Sequence, residues 1–282
     1  MAPRFTVIQG GLSGRPEPRP TQAPDRPSVM RVDLHRPGGV DADAISAWRA
    51  MLVRNAVTDP LRDPDHLLPL AQHRPAGRRV AVALAWSHDV ETGREALHGV
   101  VPLAMPHPVW GGGARPWQPV ESEAAALVEQ AAAEAVDRAL RARLAALRRP
   151  IRLVGAVEPV GIPVANRPAL AASRRAWSRP VPSERLMGVR PVGWQTPASE
   201  MHAVTAPDAV RDAVETFLTL DARTAERPII ADPAEASLVR VVSRLFARRG
   251  ALRVEFLRRA GAIVAGTLHL GTGAASVPWR RA

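Results

Sequence analysis

The feature that most constrains the fold is an order of elements that occurs twice: helix, helix, strand, turn, strand, first from Asp41 to Met105 and again from Pro207 to Leu270. In the first copy Ile45, Trp48, Leu52 and Ala56 stand at helical spacing behind Asp41 or Asp43 as cap, and a shorter helix from Pro64 to Gln72 presents Leu67, Leu68 and Ala71. Val80 to Trp86 is short, apolar and rich in β-branched residues, which favours a buried strand. Turn chemistry at Asp89 to Arg94 and a second apolar run, Leu97 to Met105, complete a hairpin. In the second copy a helix from Pro207 to about Ala222 puts Val210, Val214, Phe217 and Leu218 on one face. The next is marked by Asp232 as cap, Pro233 as first helical residue, Glu235 in capping-box position and Gly250 as stop, with Leu238, Val241, Val242, Leu245 and Phe246 as its apolar stripe. Leu252 to Leu257 and Ile263 to Leu270, joined through Arg258 to Gly261, are the second hairpin. The copies share an order and no obvious residue identity, so the expectation is tandem domains of one α/β architecture with α+β mixed sheets.

The rest of the chain arranges itself around these copies. Residues 1–28 hold little to bury and are expected to be a disordered tail. Alternation from Val29 to Leu34 starts a first domain at 29–157. That domain takes in a long helix at 121–149, free of Gly and Pro and ended by Pro150, and a strand from Ile151 to Val157. Residues 158–197 carry too many prolines for regular structure and read as an interdomain connection. A second domain at 198–282 opens on a strand at Met201 to Val204.

Composition removes several classes of function. Without cysteine there is no disulfide, no thiolate metal site and no cysteine nucleophile. The net charge of +11 is carried by 38 basic residues that are all Arg, while Tyr is absent and Asn occurs only at positions 55 and 166. This is the signature of a GC-rich coding sequence, and with the arginines dispersed and aromatics few it argues against a nucleic-acid partner. No secretory apolar segment is visible and no run is long enough to span a bilayer, so a soluble, cytoplasmic protein is expected. The histidines show no ligand spacing, and no metal is expected.

Residues 208 to 270 carry a resemblance. Val214 to Asp221, Ile230 to Pro233, Phe246 to Gly250 and Gly261 to Gly266 look like successive landmarks of the GNAT acyltransferase superfamily. The subfamily they resemble is the FemAB-like tandem-GNAT group, which includes acetyltransferases associated with cellulose or exopolysaccharide synthesis. The N-terminal half joins it through length and element order. The resemblance implies two tandem GNAT-like domains, acetyl-CoA or another acyl-CoA as co-substrate, and a small-molecule or glycan-linked amine as acceptor. It also implies a Gly-Trp-Lys-Gly stretch after the first helix of the second copy, where this chain has Asp221 to Arg227 without Trp, Lys or Gly. A further strand and a pyrophosphate loop at a helix N-terminus should follow Leu270, where only Gly271-Thr272-Gly273, read as a turn, and nine more residues stand. The second domain is therefore expected to be incomplete, and a non-catalytic GNAT-like scaffold that binds a partner is the alternative. The oligomeric state is left open.

Three sets of residues are candidates for chemistry. Gly111, Gly112 and Gly113 precede the helix expected at 121 and are the Gly-rich candidate for holding the cofactor phosphates. A plain loop is the competing reading, since the family's spaced Arg/Gln-x-x-Gly-x-Gly pattern is missing and Pro116 and Pro119 intervene. Glu255 and His269, on the second hairpin, are candidates for the general base that direct acyl transfer to an amine requires, against exposed strand positions of no special role. Ser87-His88-Asp89 contains the triad residue types, but neighbours on a strand end cannot face one another as a triad must.

Overall fold

The run Val80 to Trp86 is the middle of β2 (Arg79–His88), and it is apolar throughout because both faces of the strand are covered. Val80, Val82 and Leu84 pack on α1 (Ala42–Arg54) and α2 (Pro64–His73), whereas Ala83 and Ala85 pack with Val136, Leu140 and Leu144 of α3 (Ala133–Ala145). The computed structural model describes residues 29–73, 79–88, 95–107, 109, 111–119, 126–157 and 199–282. The expected tail at 1–28, the turn at 89–94 and the Pro-rich connection at 158–197 lie outside them.

The first sheet runs β1 (Val29–His35), β2, β3 (Glu95–Met105) and β4 (Arg115–Pro116), with β5 (Leu127–Val128) also on β3, and every ladder is antiparallel. The second is β6 (Ser199–Val204), β7 (Leu252–Arg259), β8 (Ala262–Leu270) and β9 (Val277–Arg281), antiparallel as well. Two helices, α4 (Pro207–Thr224) and α5 (Pro233–Arg248), lie between β6 and β7 as α1 and α2 lie between β1 and β2. The chain is thus a mixed α/β protein, and both halves read strand, helix, helix and then three strands, with the strands in the same spatial order. No described helix is long and apolar enough to cross a membrane.

The halves share one apolar core, which runs from Trp48, Leu67 and Leu84 to Phe217, Phe246 and Trp279. Its junction is α2 against α5, which is why every residue of α2 from Pro64 to Ala71 is buried. Polar groups pin the junction. Arg249 Nη1 reaches Asp63 Oδ2 at 2.8 Å and Asp65 Oδ2 at 2.9 Å, and His66 meets the Trp279 ring edge to face at 5.8 Å.

Several expectations need correcting. Among the described residues of the helix expected at 121–149 the α-helix is α3 alone, and Leu127 and Val128, wholly buried, pair instead with Val100 and Gly99. Tertiary pairing outweighs the helical propensity of an Ala- and Glu-rich run. Ile151 to Val157 is no laddered strand: its pairing is one parallel bridge, Leu153 with Ala114. The cap of α5 is half a capping box. Asp232 accepts from Ala234 N and Glu235 N, but Glu235 turns away to Arg280 at 2.7 Å, and the Asp232 N–H is taken by Ile229 O. Asp221 is buried and accepts from Ile229 N at 2.6 Å, tying the end of α4 to the next turn. Gly271 to Gly273 turn the chain as expected, but the short remainder is no mere end: Val277–Arg281 form a further strand, β9, on β8.

Candidate functional site

Strand alternation determines what each candidate residue can do. On β7, Leu252, Val254 and Phe256 face the helices, which leaves Arg253 and Glu255 on the opposite face, and the register puts His269 of β8 across from Arg253. Glu255 and His269 are thereby brought together. His269 Nε2 lies 2.9 Å from Glu255 Oε2, and Arg253 Nη2 lies 3.0 Å from Glu255 Oε1. The His–Glu approach is close enough for an ion pair but out of line for a hydrogen bond, so the buried Nε2 makes none. The side chains are 14% and 21% exposed, so the open strand positions expected as the competing reading are partly closed. Both groups can in principle accept a proton, and they stand side by side on one face of the sheet.

The glycine triplet sits elsewhere. Gly111 has φ +69° and its N–H bonds His107 O at 3.0 Å, closing a tight turn. At Gly113 an added Cβ would lie 2.3 Å from Val154 Cγ2 and 2.9 Å from Arg152 O, so glycine there permits the approach of the segment that bridges Ala114 to Leu153. The triplet does not lead into a helix: α3 begins at Ala133, its first turn carries Glu134, and no side chain caps it. Among the described residues the triplet is followed by β4 and β5 before α3 begins. Gly111 and Gly112 do line a cleft of about 1040 Å³ between the start of β2 and the end of β3. Arg36, Arg79, Arg149 and His107 also line it, and no described lining residue is acidic. Several guanidinium groups along one cleft make it a candidate for an anionic ligand.

A third constellation escaped the sequence reading. Ser87 Oγ lies 2.8 Å from His98 Nε2, and His98 Nδ1 lies 2.6 Å from Glu129 Oε2. Ser87 is on β2 and His98 on β3, where the register slips between Ala85 and Trp86 so that His98 is the unpaired residue of a β-bulge between Leu97 and Gly99. Glu129 follows β5 directly, and its N–H bonds His98 O at 2.9 Å. Its other oxygen is held by Arg54 Nη2 at 2.8 Å and Asn55 Nδ2 at 3.2 Å, both from the end of α1. Burial pushes the Glu129 carboxyl up, but hydrogen bonds from Arg54, His98 and Asn55 outweigh it, and the group sits below the usual carboxylate range. Of the described residues of the sequence triplet Ser87-His88-Asp89, Ser87 takes part. His88 lies 3.9 Å from Glu95, and Asp89 is outside the described residues.

Among the described residues no three His, Asp or Glu side chains gather as a metal site. No protein-family model matches the chain, and no curated protein matches it.

Proposed function

We propose that this chain is an acyl-CoA-dependent N-acyltransferase of the GNAT type, acting on an amine of a small molecule or glycan. The observation that carries the reading is the repeated order of elements with the same strand neighbours in each half, which agrees with the landmark series in residues 208 to 270. In the first half β4 is followed by β5, a 3-10 turn and a further helix, α3, where the resemblance implies a strand, a loop and a helix. The reaction asks for two things besides positioning: charge complementary to the CoA phosphates, and a base for the proton of the attacking amine. The cleft lined by Arg36 and Arg79, in the first half, is the candidate for the first, and Glu255 with His269, in the second half, is the candidate for the second.

One observation favours a second reading, a GNAT-like scaffold without catalysis. Where the resemblance implies pyrophosphate at a helix N-terminus, α3 offers Glu134 in its first turn and no glycine in residues 126–132. A turnover assay separates the two. Release of free CoA from acetyl-CoA is followed with a panel of amino sugars and polyamines. The transferase reading expects amine-dependent release, with KM for acetyl-CoA raised about tenfold or more when Arg36 and Arg79 are both replaced by Ala. No release above buffer with any amine leaves the scaffold.

A further inference from the structure

The hydrogen bonds around His98 leave little freedom in where its proton sits. Glu129, held ionised by Arg54 and Asn55, is acceptor-only, so the 2.6 Å contact requires the proton on His98 Nδ1. In the neutral imidazole Nε2 is then a lone-pair acceptor, and the 2.8 Å contact has Ser87 O–H donating to it. A hydroxyl donating to an imidazole whose far nitrogen is fixed by a carboxylate is the arrangement that activates a serine. Three separate elements, β2, the bulge of β3 and the residue after β5, converge to make it. The bulge matters because it supplies an extra residue at the point where His98 meets both partners.

We infer that Ser87, His98 and Glu129 form a nucleophilic site whose substrate class is an ester or thioester. Ser87 Oγ attacks the acyl carbon and forms a new ester, while its proton passes to His98 Nε2 and from there to the departing alcohol or thiol as the C–O or C–S bond breaks. Water then attacks the acyl-serine, gives one proton to His98 Nε2 and releases the carboxylic acid as Ser87 regains its hydrogen. The net reaction is hydrolysis, with no other reactant. Glu129 is a positioning residue, held by two groups of α1 so that the imidazole keeps its tautomer.

This site is separate from the arginine cleft. Ser87 is eight residues along β2 from Arg79, so the two lie about 26 Å apart at roughly 3.3 Å per residue. Its existence does not depend on acyl-CoA binding.

The test uses the full chain with an alkyl fluorophosphonate and with p-nitrophenyl acetate. One covalent phosphonate adduct is expected, mapped to Ser87 by peptide mass, together with ester hydrolysis that falls at least about 10²-fold in Ser87→Ala and in His98→Gln. Ser87→Cys should restore acylation by p-nitrophenyl acetate, which a merely structural hydroxyl would not do. Circular dichroism and a urea midpoint establish that each variant is folded. Absence of an adduct at Ser87 in the wild-type chain overturns the inference, as does hydrolysis at the same rate in folded Ser87→Ala.

Discussion

Replacing Arg249 by Ala should loosen the junction between the halves. Its Nη1 bridges Asp63 and Asp65, whose side chains are only 11% and 10% exposed. Asp65 retains Arg49 at 2.8 Å and Asp63 retains the N–H of Asp65 on its other oxygen, but Asp63 Oδ2 loses its charged partner. Removing one member of a buried pair costs roughly 3–5 kcal/mol, and removing one from an exposed pair roughly 0.2–1 kcal/mol. The carboxylates here are nearly buried and the guanidinium is 39% exposed, which places the cost between these limits at about 2 kcal/mol after solvent screening. With a denaturant slope of about 2–3 kcal/mol/M for urea, the midpoint should fall by about 0.7–1 M. Tryptophan fluorescence is the assay, because Trp48 and Trp279 report on the shared core from the two halves. Pairing Arg249→Ala with Asp63→Asn should recover part of the loss, since the double variant leaves no unpaired charge at Asp63. A midpoint within 0.1 M or so of wild type, on a slope of that size, would refute the argument that these carboxylates rely on Arg249 at the junction.

Gly113→Ala should destabilise the fold by about 1–3 kcal/mol, as overpacking against Arg152 and Val154 does. It should leave any acetyl-CoA affinity of the folded fraction unchanged, which urea unfolding and titration can check together. Asp232→Ala should cost about 1 kcal/mol through loss of the α5 cap, read as a lowered urea midpoint, with Asp232→Asn close to neutral. The Glu129 carboxyl is held below its unfolded value, so its contribution to stability is full above about pH 4.3 and is lost as the pH falls through the depressed folded value. The urea-midpoint gap between wild type and Glu129→Gln should therefore narrow as the buffer is taken below pH 4, roughly the free carboxylate value. A gap that widens in acid would contradict the sign.

Elements marked by local chemistry were legible in the sequence. Asp41, one of the two caps read for α1, and Asp232, read for α5, cap those helices, and Gly250 ends α5 with φ +65°. The apolar face of α4 is the expected one. What failed were segments whose fate is decided by distant partners. Leu127 and Val128 lie in a run that favours helix, yet Gly99 and Val100 claim them for the sheet, and nothing local announces it. Glu235 has the spacing of a capping box and is drawn off by Arg280, 45 residues later. The sites divide the same way. Glu255 and His269 could be suspected from alternation on a hairpin, which puts them on one face. Ser87, His98 and Glu129 span three elements and depend on a one-residue slip in the β2–β3 register that no periodicity encodes. The nearest signal was the hairpin itself, with Ser87 near the end of one strand and His98 near the start of the other.

The acyl-transfer reading is tested most directly by isothermal titration of acetyl-CoA into the full chain, beside the same titration into the Arg36→Ala, Arg79→Ala double variant. It expects saturable heat with a Kd between about 1 μM and 1 mM, the range of ordinary enzyme substrates, weakened about tenfold or more in the double variant. No heat at protein concentrations near 0.1 mM, where binding of about that strength still registers, would contradict it.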